Sequence, residues 1–128
     1  MKALLLVADL PWVADAVRAG LAGAGWELAT VGNPAEAAAW WQEHRPEAVL
    51  VDLQIGARGG MAVVRDLRAA AYAAGVAPPA TVMLLDRSDD SFLARRAGAG
   101  AWIRKPFNGF ALRGLLDRLV AEQQAAAG

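Results

Sequence analysis

Cysteine is absent from the 128 residues, and histidine occurs once, at His44. The first absence excludes a disulfide scaffold and a thiolate zinc site. The second leaves no imidazole cluster for a transition metal. Neither sign of charge is in excess. Thirteen Lys and Arg offset thirteen Asp and Glu, and the cations are scattered rather than gathered into a stripe, so the electrostatic footprint of a DNA or RNA surface is missing. Long apolar runs are missing too. The opening "MKALLLVADLP" begins as a secretory signal would, but Asp9 and Pro11 interrupt it, and nothing approaches the roughly 20 apolar residues that span a bilayer. These absences point to a cytoplasmic protein with no direct contact to nucleic acid or membrane. At this length one core can be buried and not two, so residues 1–128 are expected to form one domain.

What is present is an alternation. Short apolar runs at Ala3 to Val7, Leu28 to Val31, Ala48 to Leu53, Val82 to Leu85 and Ala101 to Ile103 are separated by longer segments of helical period. Trp26 stands near enough to extend the second run. Five strands separated by helices predict an α/β protein with a parallel sheet covered on both faces. The last helix is the clearest, with Leu112, Leu115, Leu116, Leu119 and Val120 on one face. Val13, Val17 and Leu21 stripe the first helix, and Met61, Val64, Leu67 and Ala71 the third. The second helix has a readable start, with Asn33 as cap, Pro34 in the first position and Glu36 where a capping-box carboxylate would sit. Trp40 and Trp41 point about 100° apart on that helix, so Trp41 is expected inward and Trp40 nearer the surface. Gly75, Pro78 and Pro79 mark the turn into strand four, and the closing "QQAAAG" is expected to fray.

In an open parallel sheet, ligands gather beyond the carboxyl ends of the strands where the strand order reverses. Four charged residues stand at such ends: Asp9, Asp52, Asp86 and Lys105. Carboxylates converging with a lysine make a small acidic pocket, and hard oxygen ligands of this kind suit Mg²⁺, which keeps several waters and takes one or two carboxylates. An Asp after a strand also serves as a helix cap or an Asx-turn. The "AGAGA" at 97–101 is read as a helix terminus and tight turn, because no dinucleotide fingerprint and no P-loop Gly-Lys-Ser/Thr accompanies it.

Taken together, "LLLVADLP", "EAAAWWQEHRPEAVLVDLQIGARGG", "AGAGAWIRKPF" and the closing leucine-striped helix resemble, in order and spacing over nearly the whole chain, the receiver domain of two-component response regulators. The resemblance implies a five-stranded parallel sheet with about five helices in flavodoxin-like order 2-1-3-4-5. It places Asp52 as phosphoacceptor, taking a phosphoryl group from a phosphohistidine on a sensor histidine kinase or phosphotransfer protein. It places Asp9 and Asp52 as Mg²⁺ ligands, with the main-chain carbonyl of Gln54 completing the site. It makes Lys105 the lysine that contacts the phosphoryl group, followed by Pro106 across a typically cis peptide bond. Output is expected through an output protein or by self-pairing, on the face of helix four, strand five and the last helix that carries Trp102 and exposed Arg95, Arg96 and Arg113.

The chain departs from that pattern at defined points. The usual acidic pair after strand one is Ala8–Asp9, so Mg²⁺ binding is expected to be weak. The Thr or Ser at the end of strand four is replaced: Leu85 or Asp86 stands there, and an ungapped count from Lys105 lands on Met83. The following segment is about two residues short, which predicts a short or irregular fourth helix. Gly56 replaces a proline, and Trp102 takes the place of a Tyr or Phe that rotates on activation, as a packed or interface residue. Two readings follow, a receiver acting in a phosphorelay and a degenerate pseudo-receiver binding a partner without phosphorylation. An aspartate-nucleophile phosphohydrolase would need "DxD", and "DLQ" fails that test, so no enzyme is expected.

Overall fold

The computed structural model describes residues 1–56 and 59–127, with Ala127 as backbone only; Ala57 and Arg58, in the glycine-rich stretch after Asp52, lie outside the described residues. The strands are β1 (Lys2–Val7), β2 (Trp26–Val31), β3 (Ala48–Asp52), β4 (Ala80–Leu85) and β5 (Ala101–Arg104). The helices are α1 (Pro11–Leu21), α2 (Ala37–His44), α3 (Gly59–Ala74), α4 (Ser91–Ala97) and α5 (Gly109–Ala127). All four strand pairings are parallel, in the order β2-β1-β3-β4-β5, which is the expected flavodoxin-like topology.

The two-residue period of a strand sorts side chains to opposite faces, and here each face has its own core. Leu5, Val7, Val49, Val51, Met83 and Leu85 pack with α2, α3 and α4. Leu4, Leu6, Leu50, Val82 and Leu84 pack with α1 and α5. Burial on both faces is why β1 and β3 read as unbroken apolar runs. Val13, Val17 and Leu21 are buried as expected, as are Leu112, Leu116, Leu119 and Val120. On α3 the buried stripe includes Val63, which the four-residue spacing passed over, while Met61 is only half-buried. Trp41 is buried; Trp40 is half-buried and stacks on His44 with ring centroids 4.0 Å apart.

Three local expectations change. Strand β4 starts two residues earlier than its apolar run, at Ala80, while β2 takes in Trp26 as its nearness to the run allowed. The entry to α2 is a 3₁₀ turn over Pro34–Glu36: the Asn33 side chain accepts from Ala35 N–H, and Glu36 N–H goes to the Asn33 main-chain carbonyl. A capping box would instead use the Asn33 side chain for Glu36 N–H. The tail "QQAAAG" does not fray at its start, because α5 runs to Ala127 on Ala and Gln, both good helix formers. Helix α4 is short, seven residues after a 3₁₀ turn at Ser88–Asp90, as the shortened segment predicted.

Close packing at the end of β3 fixes the loop that follows it. Gly60 N–H donates to the Leu53 carbonyl at 2.8 Å, and a Cβ on Gly60 would lie 2.6 Å from the Asp52 carbonyl oxygen and 2.8 Å from Leu53 Cα. Both obstacles are backbone, so neither can step aside without moving the strand end. Gly60→Ala is therefore expected to cost about 1–3 kcal/mol of stability, as overpacking does. The check is the urea midpoint; an unchanged midpoint would show that β3 and α3 are free to separate there.

Candidate functional site

Strand β1 has β2 on one side and β3 on the other, so the chain order reverses between β1 and β3. Asp9 follows one of these strands and Asp52 ends the other. Asp52 is wholly buried. Its Oδ1 accepts from Lys105 Nζ at 2.9 Å and from Gln54 N–H at 3.1 Å, while its Oδ2 is buried with no hydrogen-bond partner. Asp52 thus begins an Asx-type turn and also faces a cation.

Lys105 is delivered by β5. Its N–H bonds to the Leu85 carbonyl at 2.7 Å, and the Lys105–Pro106 peptide is cis. Its ammonium is shared: it lies 2.9 Å from Asp52 Oδ1 and 3.0 Å from Asp86 Oδ1. The face of the Trp12 ring, on α1, lies 5.4 Å from the same nitrogen, within cation–π range. Burial works to lower the proton affinity of this amine, but hydrogen bonds and charge from Asp52 and Asp86 outweigh it and hold Lys105 above the ordinary lysine range.

Asp9 is exposed and joins the site through the main chain: its Oδ2 accepts from Gly56 N–H at 3.0 Å, tying the loop after β1 to the loop after β3. Gln54 is present through its N–H on Asp52. Of the candidates at the end of β4, Met83 and Leu85 are buried in the core and Asp86 reaches Lys105. Asp86, one residue past the end of β4, is thus the candidate whose side chain meets the lysine. Sequence reasoning had no sign of the Arg87–Asp90 pair at 3.0 Å, in which Asp90 is buried at the start of α4. Trp102 is half-buried against the core, with the Arg95 guanidinium 5.5 Å from its ring. Arg95 and Arg96 are exposed as expected, but Arg113 is half-buried, its guanidinium 5.2 Å from the Phe110 ring.

The residues fit a divalent cation in part. Asp52 Oδ2 is an orphaned buried acceptor, and Asp9 supplies a second carboxylate on the adjoining loop. Among the described residues no three His, Cys, Asp or Glu side chains gather to hold a metal. A cation held by two carboxylates and mostly water suits Mg²⁺.

The model of the response regulator receiver domain matches residues 4–117. The chain belongs to the response regulator receiver family. The DNA-binding response regulator MtrA of Mycolicibacterium smegmatis is 35% identical over 106 residues, which are 81% of this chain and 44% of that protein. This receiver thus spans about half the length of the curated relatives it matches. Among solved structures, the chemotaxis protein CheY4 of Vibrio cholerae is 26% identical with a TM-score of 0.79, covering 93% of this chain and 98% of that one. The receiver domain of sensor histidine kinase PA1611 from Pseudomonas aeruginosa, described with a magnesium ion coordinated in its active site cleft, is 22% identical with a TM-score of 0.80, covering 94% and 98%. At that identity the likeness is one of fold. Among the described residues no helix is long and apolar enough to cross a membrane.

Proposed function

We propose that this receiver works in a phosphorelay, with Asp52 as the phosphoacceptor. The observation that carries the reading is a buried carboxylate at the end of β3 with one oxygen on Lys105 and the other unpartnered. The free oxygen is the nucleophile: it forms the P–O bond while the bond from phosphorus to the donor's histidine nitrogen breaks, leaving an acyl phosphate on Asp52. There is little covalent work beyond this, so the protein contributes positioning and charge. Lys105, already against Oδ1, offsets charge on the transferring oxygens. Asp9, Asp52 and the Gln54 carbonyl would hold Mg²⁺, whose chemistry when bound is neutralisation of the same oxygens. The donor is a sensor histidine kinase or a phosphotransfer protein. Output passes by protein contact, to an output protein or a second copy, through the face of α4, β5 and α5 that bears Trp102, since aromatic and Arg residues make good interface anchors. Intact Asp9, Asp52 and Lys105 favour this over a pseudo-receiver, which has no use for a lysine paired to a buried acceptor.

Incubation with acetyl phosphate and Mg²⁺, followed by intact-mass measurement, should add one phosphoryl group to the wild type and none to Asp52→Ala. Equal modification of both proteins, or of neither, would remove Asp52 from this role.

A further inference from the structure

We infer that Asp86 is a positioning residue that competes with the phosphoryl group for Lys105. Three observations converge on the lysine. Its ammonium is within ion-pair distance of two carboxylates at once, 2.9 Å to Asp52 and 3.0 Å to Asp86. Its side chain is almost wholly buried, so those carboxylates and not water hold it. The Trp12 ring closes a third side at 5.4 Å. The two carboxylates are not equivalent: the Asp52 side chain is entirely buried, whereas 46% of the Asp86 side chain is exposed.

That asymmetry sets the direction of exchange. An ammonium has three donors and no fixed fork, so it redistributes towards the partner with more charge. When Asp52 carries a phosphoryl group, the dianion outbids Asp86 for Lys105. Asp86 can give up the lysine at small cost because water already reaches it. Before that, Asp86 has two effects. It occupies the amine the incoming anion needs, and it adds a negative charge at the mouth through which that anion arrives. Asp86 therefore weakens capture of a small phosphoryl donor more than it slows the transfer step.

The second effect rests on Asp52 being the acceptor; the first, Asp86 holding Lys105, does not, and the experiment separates them. The chain has two lysines, Lys2 and Lys105, so acylation with an acetyl N-hydroxysuccinimide ester can be followed site by site by peptide mass spectrometry, with Lys2 as internal reference. Without any phosphoryl donor, Asp86→Asn should raise Lys105 acylation several-fold relative to Lys2, and Asp86→Glu, which keeps the carboxylate, should not. With acetyl phosphate and Mg²⁺, Asp86→Asn should lower the half-saturating donor concentration about tenfold, roughly what one charge about 3 Å away is worth in water, and should change the rate at saturation far less. Asp86→Glu should restore the wild-type value. A merely structural role would move both kinetic quantities together and would alter Lys2 as well. The inference is overturned if Lys105 acylation is the same in Asp86→Asn as in wild type, or if the half-saturating concentration stays fixed while the saturating rate falls. If no variant takes up phosphoryl yet Lys105 labelling rises, the positioning role stands and the acceptor role of Asp52 falls.

Discussion

Lys105→Met is expected to lower the stability of the receiver by about 3 kcal/mol, because removing one partner of a buried ion pair strands the other. The stranded group is Asp52, wholly buried, whose Oδ1 would keep only the Gln54 N–H and whose Oδ2 has no partner to begin with. The reverse substitution should be mild. Asp52→Leu leaves Lys105 with Asp86 at 3.0 Å and fills an interior site with an apolar side chain, so it strands no charge and should cost clearly less than Lys105→Met. Urea midpoints with unchanged m-values measure both. Equal losses in the two variants would mean that Asp86 gives Lys105 no support. The pH course follows from the lysine. Its proton affinity is raised in the fold, so its contribution is complete at neutral pH and below the ordinary lysine value, and is lost as pH climbs through the raised one. The gap between wild type and Lys105→Met should therefore close in strongly alkaline solution. A gap that ignores pH would assign the loss to packing.

The second large effect is on output. In the wild type, beryllium fluoride with Mg²⁺ should change amide signals around Asp52 and Lys105 and leave α4 and Trp102 nearly unmoved. A ligand shifts an equilibrium only by its different interactions with the two states; none of Met83, Leu85 and Asp86 carries the hydroxyl that the resemblance implies for this end of the sheet, and the Asp86 carboxylate stands just past the end of β4. Like charge at that point repels the group it would have to approach. Ala8→Asp combined with Asp86→Thr addresses both departures. The added carboxylate should tighten Mg²⁺ on the order of tenfold, since hard-cation affinity follows ligand charge, and the hydroxyl should spread the response into α4. The threonine belongs at 86 and not at 85, because Leu85 is buried in the core while Asp86 faces the lysine. Trp12, beside Lys105, reports the metal titration by fluorescence, and hydrogen exchange reports α4. A broad α4 response in the wild type would show that the hydroxyl is dispensable here.

The family, the five strands and their parallel arrangement were legible because burial on both faces leaves unbroken apolar runs, and because Asp9, Asp52 and Lys105 fall at strand ends whatever the register. The stripes of α1 and α5 were legible for the same reason of period. Alanine and glycine blurred the rest: Val63 was missed on an alanine-rich helix, and the tail of α5 was read as frayed because its residues carry no stripe. Sequence also fixed what the site lacks, a carboxylate at position 8 and a hydroxyl near the end of β4. It left open which residue meets Lys105. Counting along the chain from Lys105 lands on Met83, whereas register across the sheet pairs Leu85 with Arg104 and so sets Asp86 beside Lys105. Asp52 and Trp12, which meet the one ammonium, stand 53 and 93 positions from Lys105 along the chain. Asp86 is nearer in sequence but no nearer in kind, for it too reaches the lysine from a different strand. Sequence determined which charges stand at the strand ends; only the parallel pairing of β3, β4 and β5 decided which of them touch, because distance across a sheet is set by hydrogen-bond register and not by separation along the chain.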